Sequence, residues 1–536
     1  MRGTKRVRGN AAFLTLYLIC VWMSFLLVKV TDSKKTLLVL FLLSVPACYL
    51  LSSFVLGRAE RIRIKDPGLQ QETGCRRVFL LSALACATVM MIWFTAFFPG
   101  GFTEDSFSQY EQALTGRYSD WHPVWHTLLF FTLPLKLTGK VWAIAVFQTV
   151  FFSLGTGYVC SVVFRYAGNR GALFAFLCLM LNYYTWEIVL FPWKDVAFAV
   201  SGALCLAVAA SFPVVREKAS MRRIRCAMLG LILANATLFR HNGILFTGVL
   251  LLALPLFLNR RQWLAVIGVF AAAVCLIRGP LYSALRVSAP GGRVVETTGL
   301  PMTVLGNIAK EAPGVLDEET ADFLYGMAEP ERWKKQYVTG SFNSIKWKGI
   351  DTQAVEDAGW SGVLGMTARN AARAPKAALK ALAALTDTVY GLETGIEGDN
   401  YPGIVKNDYG METTGNREIA GVLKSIRNLT RNSVLSRVTT IGFSILLLLT
   451  AVLSRAGDRK VFRRLLLLAA PVLTYDFGTM LLLSGQDSRF FFINYLVCPF
   501  IVIMAVSEKG NAVLAAGEGF AGFARGGRRS RKGGRE

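Results

Sequence analysis

Residues 98–139 read FPGGFTEDSFSQYEQALTGRYSDWHPVWHTLLFFTLPLKLTG and follow an apolar run long enough to span a bilayer. Two of the three histidines in the sequence lie in this stretch. Carboxylates and imidazoles between membrane spans are costly unless water or protein surrounds them. We therefore predict that the stretch forms one wall of a functional site at the membrane surface. Its ionisable residues of interest are Glu104, Asp105, Glu111, Asp120, His122 and His126.

The composition of the chain is that of a protein with many membrane spans. Of its 536 residues, 53% are hydrophobic, and apolar runs of roughly 17–25 residues recur along it. The formal net charge is +24, from 59 Lys and Arg against 35 Asp and Glu. A soluble protein this basic would suggest a nucleic-acid partner, but the cytoplasmic loops of membrane proteins collect Lys and Arg. We therefore expect an all-α polytopic membrane protein with a lipid bilayer as partner and no nucleic acid.

The first apolar run, 11–30, follows the basic segment MRGTKRVRGN. This arrangement also occurs in signal peptides, but the run is long for one and no clear A-x-A cleavage site follows it. We interpret it as a retained first span.

Positive charge in the loops predicts the orientation of the spans. The basic loop between the second and third spans is expected to be cytoplasmic, which puts residues 98–139 outside and both termini inside. Within that stretch, HPVWHTLLFFTLPLKLTG is interpreted as a helix on the outer surface, because Pro134 and Lys136 interrupt it. The length criterion gives about 12 spans in all. They are predicted at 11–30, 36–57, 78–97, 141–164, 171–189, 195–213, 226–240, 243–258, 262–278, 438–454, 464–484 and 489–507.

These spans divide the chain into five parts. Residues 1–77 hold the first helices and a basic cytoplasmic loop, and 78–278 form a membrane core that includes the first outer loop, 98–140. Residues 279–437 are polar and too long for a simple connection, so they predict a mainly helical extracytoplasmic soluble region. Residues 438–507 hold the last spans. Residues 508–536 are a basic cytoplasmic tail, and its end, 524–536, is Gly-rich and expected to be disordered.

Asp105 is the strongest candidate for a catalytic group. A carboxylate at the outer boundary of the membrane suits a general base acting on an acceptor hydroxyl, and Glu104 beside it suits binding of an acceptor or a metal ion. The alternative is structural, since acidic residues stabilise the first turn of a helix. The sequence leaves both open.

His122 and His126 lie four residues apart in WHPVWHTLL and would share a face of one continuous helix. That spacing permits a metal pair, but no HExxH glutamate accompanies it. We favour binding of a phosphate or sugar by His122, with Pro123 at the first helical position, and keep His122 and His126 as candidates for binding an acceptor or a metal ion. Histidines that only cap a surface helix explain the pattern equally well.

Cationic residues fall at the outer ends of the later predicted spans. Lys194 lies in FPWKD, Arg240 and His241 lie in RHNG, and Arg489 lies in GQDSRFF. Donors of this kind suit an anion such as a phosphate. Solvated turns, a charged pair at a helix start or a snorkelling arginine would also account for them.

The motifs PGGFTEDSFSQYEQA, YSDWHPVWHTLL, WKDVAFA, LFRHNGILF and QDSRFFFINYLVCPF occur in this order. Together they resemble the GT-C superfamily of polytopic membrane glycosyltransferases, and in particular a bacterial branch with the pattern PG-x-x-x-x-DS…HP-x-x-HT. The resemblance covers about residues 78–280 and 438–507. One departure is Val124, where many relatives have a second proline after the His-Pro pair.

The resemblance implies an inverting hexosyl or pentosyl transfer from a polyprenyl-phosphate sugar donor to an extracytoplasmic glycan, lipid or protein acceptor at the bacterial cytoplasmic membrane. Asp105 then matches the catalytic aspartate, and Arg489 matches the basic residue that faces the lipid phosphate. His241, Arg240 and Lys194 are the further candidates for the donor phosphate. No cofactor is implied, and a requirement for a divalent cation stays open.

Two other classes of function remain alternatives. A transporter or flippase for lipid-linked envelope precursors would need polar residues along a path through the membrane, and few charges lie at the centres of the predicted spans. A non-catalytic scaffold in envelope synthesis is the third interpretation.

Overall fold

A computed structural model describes residues 2–31, 33–68, 70–392, 402–485 and 487–516. In these ranges the protein is helical and contains isolated bridges but no strand, which confirms the predicted all-α class. Seven described helices are long and apolar enough to cross a membrane, so the chain has the character of a membrane protein. The predicted total of about 12 spans stays a prediction. The seven are Asn10–Val30, Lys34–Arg61, Glu72–Ala96, Trp142–Met180, Lys194–Ser211, Arg260–Ala284 and Ser488–Val506.

The helices up to residue 138 comprise three long ones and three short ones. The long helices are apolar, and the short ones form the stretch that carries Asp105. A π-helical turn, Leu26–Val30, extends the first helix, and another, Leu128–Thr132, joins the last two. The bounds are α1 Arg2–Phe25, α2 Lys34–Arg61, α3 Glu72–Ala96, α4 Glu104–Thr115, α5 Val124–Thr127 and α6 Leu133–Thr138.

The next helices form the centre of the bundle. The predicted span 141–164 and the first part of the predicted span 171–189 form one helical stretch of 39 residues, Trp142–Met180, that breaks at Gly168, where φ is 64°. This left-handed conformation is open to glycine and strained for other residues. The bounds are α7 Trp142–Met180, α8 Tyr183–Ile188, α9 Lys194–Ser211, α10 Ala219–Phe239, α11 Gly243–Ala253, α12 Arg260–Leu276 and α13 Tyr282–Ala284.

The long polar region has a hydrophobic core of its own between residues 295 and 366. Trp333 is fully buried there, and the hydroxyl of Tyr337 donates to the Thr303 carbonyl oxygen at 2.6 Å. The described residues from 402 to 438 lie outside this core. The helices are α14 Arg293–Thr297, α15 Gly299–Glu311, α16 Glu318–Met327, α17 Pro330–Gln336, α18 Asn343–Lys346, α19 Gln353–Arg373, α20 Pro375–Tyr390, α21 Arg417–Arg431 and α22 Leu435–Val438.

The chain returns to the bundle through α23 Ile441–Leu453, α24 Arg459–Met480, α25 Ile493–Val506 and α26 Glu508–Ala516. Helices α9 and α25 lie at its centre, and nearly all of their side chains are buried. The predicted basic tail begins with α26, whose Leu514 is fully buried. The predicted disorder of 524–536 concerns residues outside the described ranges.

Candidate functional site

Asp105 lies in the first turn of α4, directly after Thr103. Two acidic residues, Glu104 and Asp105, open this helix, where the partial positive charge of a helix N-terminus favours them. Asp105 therefore does stabilise the first turn of a helix, as the structural alternative proposed. Its side chain is nevertheless about one-third exposed, at 35%, so it is accessible from the surface.

Arg489 connects Asp105 to the start of α25. One of its terminal nitrogens lies 3.0 Å from Asp105 Oδ2, and its Nε lies 2.7 Å from Asp487 Oδ2. The guanidinium also lies 4.7 Å from the centre of the Trp193 ring, within the range of a cation–π contact. One guanidinium is thus shared by two carboxylates and held against an aromatic face.

The start of α9 supplies the second cation. Lys194 Nζ lies 3.2 Å from His122 Nδ1, and Trp193 Nε1 donates to Thr103 Oγ1 at 3.1 Å. The second contact ties the start of α9 to the start of α4. Gln148 supports this loop from α7 by donating to the carbonyl oxygen of Val189 at 2.8 Å.

Two ionisable groups of this site outside the long apolar helices, His122 and Asp105, both have lowered pKa values, with opposite consequences for their charge. Burial and the charge of Lys194 lower the pKa of His122 to about 3, although the Asp105 carboxylate opposes this shift. His122 is therefore neutral at physiological pH. Its Nδ1 then accepts from the ammonium of Lys194.

Desolvation by itself would raise the pKa of Asp105, which is only partly exposed, but the charges of Arg489 and Lys194 outweigh it and hold the pKa below its usual range. The carboxylate is consequently ionised at neutral pH. Its ionisation depends mainly on the partner that Arg489 provides.

Arg240 enters the same end of the bundle from the turn after α10. It forms a buried ion pair with Asp195, and its Nε donates to Asn242 Oδ1 at 2.8 Å. Its guanidinium lies 4.4 Å from the centre of the Phe490 ring, and that of Arg489 lies 5.1 Å from the same ring. Two arginines thus lie against one aromatic side chain, but the charge of Arg240 already has a carboxylate partner.

This pairing predicts a large effect on stability when only one partner is removed. Asp195→Ala leaves the Arg240 charge buried and uncompensated, which costs about 3–5 kcal/mol. The double variant Asp195→Ala/Arg240→Met removes both charges and is expected to recover most of that loss. Thermal unfolding in detergent, followed by size-exclusion chromatography, measures both. A double variant as unstable as the single one would contradict this role.

Three of the predicted site residues do not join the cluster. His126 is fully buried, stacks on Phe130 and contacts Gln109 Oε1 through Nδ1 at 2.8 Å. Glu104 points to the exposed side of α4. His241 is exposed and lies beside Asp120 and the Trp121 backbone.

The expectation that His122 and His126 share a helix face is wrong. Helix α5 begins only at Val124, and Pro123, with ψ at 113°, is the residue before it and not its first helical residue. His122 therefore precedes the helix and faces Lys194, whereas His126 points into the bundle. Residues four positions apart share a helix face only where the helix is continuous between them.

Trp193 and Phe490 are contact residues that sequence reasoning missed. Both adjoin residues singled out for their charge, Lys194 and Arg489. An aromatic residue next to a candidate cation is the signal that would have found them.

Within the described ranges, no group of three or more His, Cys, Asp or Glu side chains is placed to hold a metal ion. Comparisons with protein-family models, with curated proteins and with solved structures found no match.

Proposed function

We propose that the protein is a membrane glycosyltransferase that transfers a sugar from a polyprenyl-phosphate donor to the hydroxyl of an acceptor, with inversion. The observation that supports it best is the Asp105–Arg489 pair, in which an accessible carboxylate and a cation meet at one end of a helical bundle. Lys194 adds a second cation beside it. This transfer needs both kinds of group at the same depth.

The chemistry assigns each group a step. The acceptor oxygen attacks the anomeric carbon, the bond from that carbon to the phosphate oxygen breaks, and the phosphate leaves with the electron pair. Asp105 takes the proton of the acceptor hydroxyl. Arg489 and Lys194 stabilise the charge that develops on the departing phosphate, and neutral His122 orients the Lys194 ammonium.

The Asp105–Arg489 ion pair implies an order in which the donor binds and the base becomes active. While Arg489 is paired with Asp105, the carboxylate is a weak base. A donor phosphate that binds Arg489 competes with Asp105 for the guanidinium. Because Arg489 is the largest of the influences that lower the pKa of Asp105, loss of that partner raises the basicity of Asp105. The base becomes effective when the donor is in place.

The proposed orientation places this site outside the bacterial cytoplasmic membrane and both termini inside. Its support is the charge at the opposite end of the bundle. There the Arg455 guanidinium donates to the carbonyl oxygens of Glu60 at 3.1 Å and Ile62 at 2.6 Å. These contacts join the basic end of α2 to Arg455 in the turn after α23, as expected on a cytoplasmic face.

A reconstituted assay tests the proposed function. Sealed vesicles containing the purified protein receive radiolabelled polyprenyl-phosphate sugars together with glycan, lipid or protein acceptor fractions. The expected result is covalent transfer of label to an acceptor, and parallel reactions with a chelator, then with added Mg²⁺ or Mn²⁺, decide the metal requirement. Movement of label across the vesicle membrane without covalent change would overturn the proposal in favour of a transporter.

A further inference from the structure

Helix α21, Arg417–Arg431, carries an apolar stripe that no described part of the chain covers. Val422 is 60% exposed, Ile426 is 42% exposed and Leu429 is 73% exposed. Their spacing of four and three residues puts them on one side of the helix. The stripe continues past the helix through Val434, Leu435 and Val438, which are also exposed.

A second side of α21 is fixed to the bundle. Leu423 packs into a buried cluster with Trp93 and Phe97 at the end of α3. Arg427 forms a buried ion pair with Glu187 of α8. These contacts hold the helix in one rotation, so the direction of its exposed stripe is set by the fold.

The third side is basic. Lys424 and Arg431 each follow a member of the apolar stripe by two residues, which is about 200° around the helix. Arg417 has the same orientation. From Val422 to Arg431 the helix thus has an apolar side, a packed side and a cationic side opposite the apolar one, and the exposed Glu418 lies in line with the apolar side in the first turn.

The position of α21 beside the end of a candidate membrane span indicates which environment its exposed stripe contacts. Just before the helix begins, the Asn416 backbone N–H donates to the Thr95 carbonyl oxygen at 3.0 Å, and Thr95 lies in the last turn of α3, a candidate span. After the helix ends, the chain enters the apolar helix α23 within ten residues, at Ile441. The helix therefore lies between the end of a candidate membrane span, α3, and the start of the shorter apolar helix α23.

We propose that α21 lies in the bilayer interface, with Val422, Ile426 and Leu429 among the acyl chains and its basic side towards the headgroups and water. An interfacial helix has this separation of apolar and basic sides. The inference does not depend on glycosyl transfer, and it makes 417–438 a membrane-associated part of a region whose sequence predicted a soluble loop.

The helix also has a route to the candidate site. Glu187, its ion-pair partner, lies in α8, and Tyr184 of α8 lies 3.3 Å from Ser488 through their hydroxyls. Ser488 immediately precedes Arg489. These contacts link α21 through α8 to the turn that carries Arg489.

Site-specific photocross-linking tests the location of α21. The photoreactive residue p-benzoylphenylalanine replaces Ile426, Leu429, Lys424 or Leu84 in the full chain, in vesicles of phosphatidylethanolamine and phosphatidylglycerol. Leu84, an exposed residue in the middle of α3, is the positive control, and Lys424 is the control on the basic side. Mass spectrometry after irradiation measures lipid adducts.

We expect adducts at positions 426 and 429 on the order of tenfold above position 424, as an embedded apolar side requires. Positions 426 and 429 test the apolar stripe independently of each other. The size-exclusion elution profile of each variant checks its folding. Equal yields at 426, 429 and 424, with a clear adduct at 84, would overturn the proposal. Cross-links between two copies of the chain at 426 or 429 would also overturn it, because they would assign the stripe to a protein interface.

Discussion

Asp105→Asn is expected to reduce the rate of sugar transfer by about 10²–10⁴-fold, the contribution that a positioned general base makes. The amide has nearly the same shape as the carboxylate but cannot accept the acceptor proton. It also removes one of the two carboxylates that share Arg489 and leaves only Asp487 as its partner, so binding of the donor is expected to persist or tighten. The measurement is the initial transfer rate over a range of donor concentrations, which separates kcat from KM.

The matched control for Asp105→Asn is Glu111→Gln. Glu111 is an exposed carboxylate in the same helix, α4, and the substitution makes the same chemical change about two turns away. We expect transfer at the wild-type rate for this control. If Asp105→Asn folds, binds donor and transfers sugar as fast as Glu111→Gln, Asp105 is not the base.

Arg489→Gln is expected to have the second large effect, through two measurable changes. Without the guanidinium, the donor phosphate loses a charge-assisted contact, and KM for the donor rises about tenfold or more, given about 1.5–3 kcal/mol for such hydrogen bonds. In addition, burial raises the pKa of Asp105 and Arg489 lowers it. Removal of Arg489 therefore raises that pKa.

The raised pKa of Asp105 in Arg489→Gln determines the direction of the pH effect. A carboxylate with a lowered pKa remains ionised as the solution is acidified, so the wild type keeps its activity well into the acidic range. In Arg489→Gln the acidic limb of kcat/KM moves to higher pH. Arg489→Lys retains a charge and is expected to restore the position of the limb in part. Arg117→Gln, which removes an exposed cation after α4, should change neither quantity. An unmoved limb together with an unchanged KM would contradict the assigned role of Arg489.

Much of the helical architecture was predictable because apolar runs of sufficient length leave few alternatives. The run 171–189 shows where this reasoning ends: the helix stops at Met180, and α8 forms separately. Apolar content alone does not show such a stop. Helix α21 shows the opposite case, since its apolar spacing is visible in the sequence but the charges around it made the segment resemble a soluble loop.

The candidate site was predictable in its charged residues but not in their pairing. Asp105, Lys194 and Arg489 are unusual because each borders an apolar run. That Arg489 contacts Asp105, while Arg240 contacts Asp195, depends on how α4, α9, α10 and α25 pack. His122 and His126 point in different directions because the backbone at Pro123 is not helical. The spacing of residues in the sequence does not reveal this conformation.

Above all, we propose that a donor phosphate binds the Arg489 guanidinium and so breaks its ion pair with Asp105. Cryo-electron microscopy of the protein with a bound polyprenyl phosphate in nanodiscs tests it most directly. We expect phosphate oxygens within hydrogen-bonding distance of Arg489 and Lys194, with the Asp105–Arg489 pair opened. A phosphate bound elsewhere while that pair remains closed would contradict it.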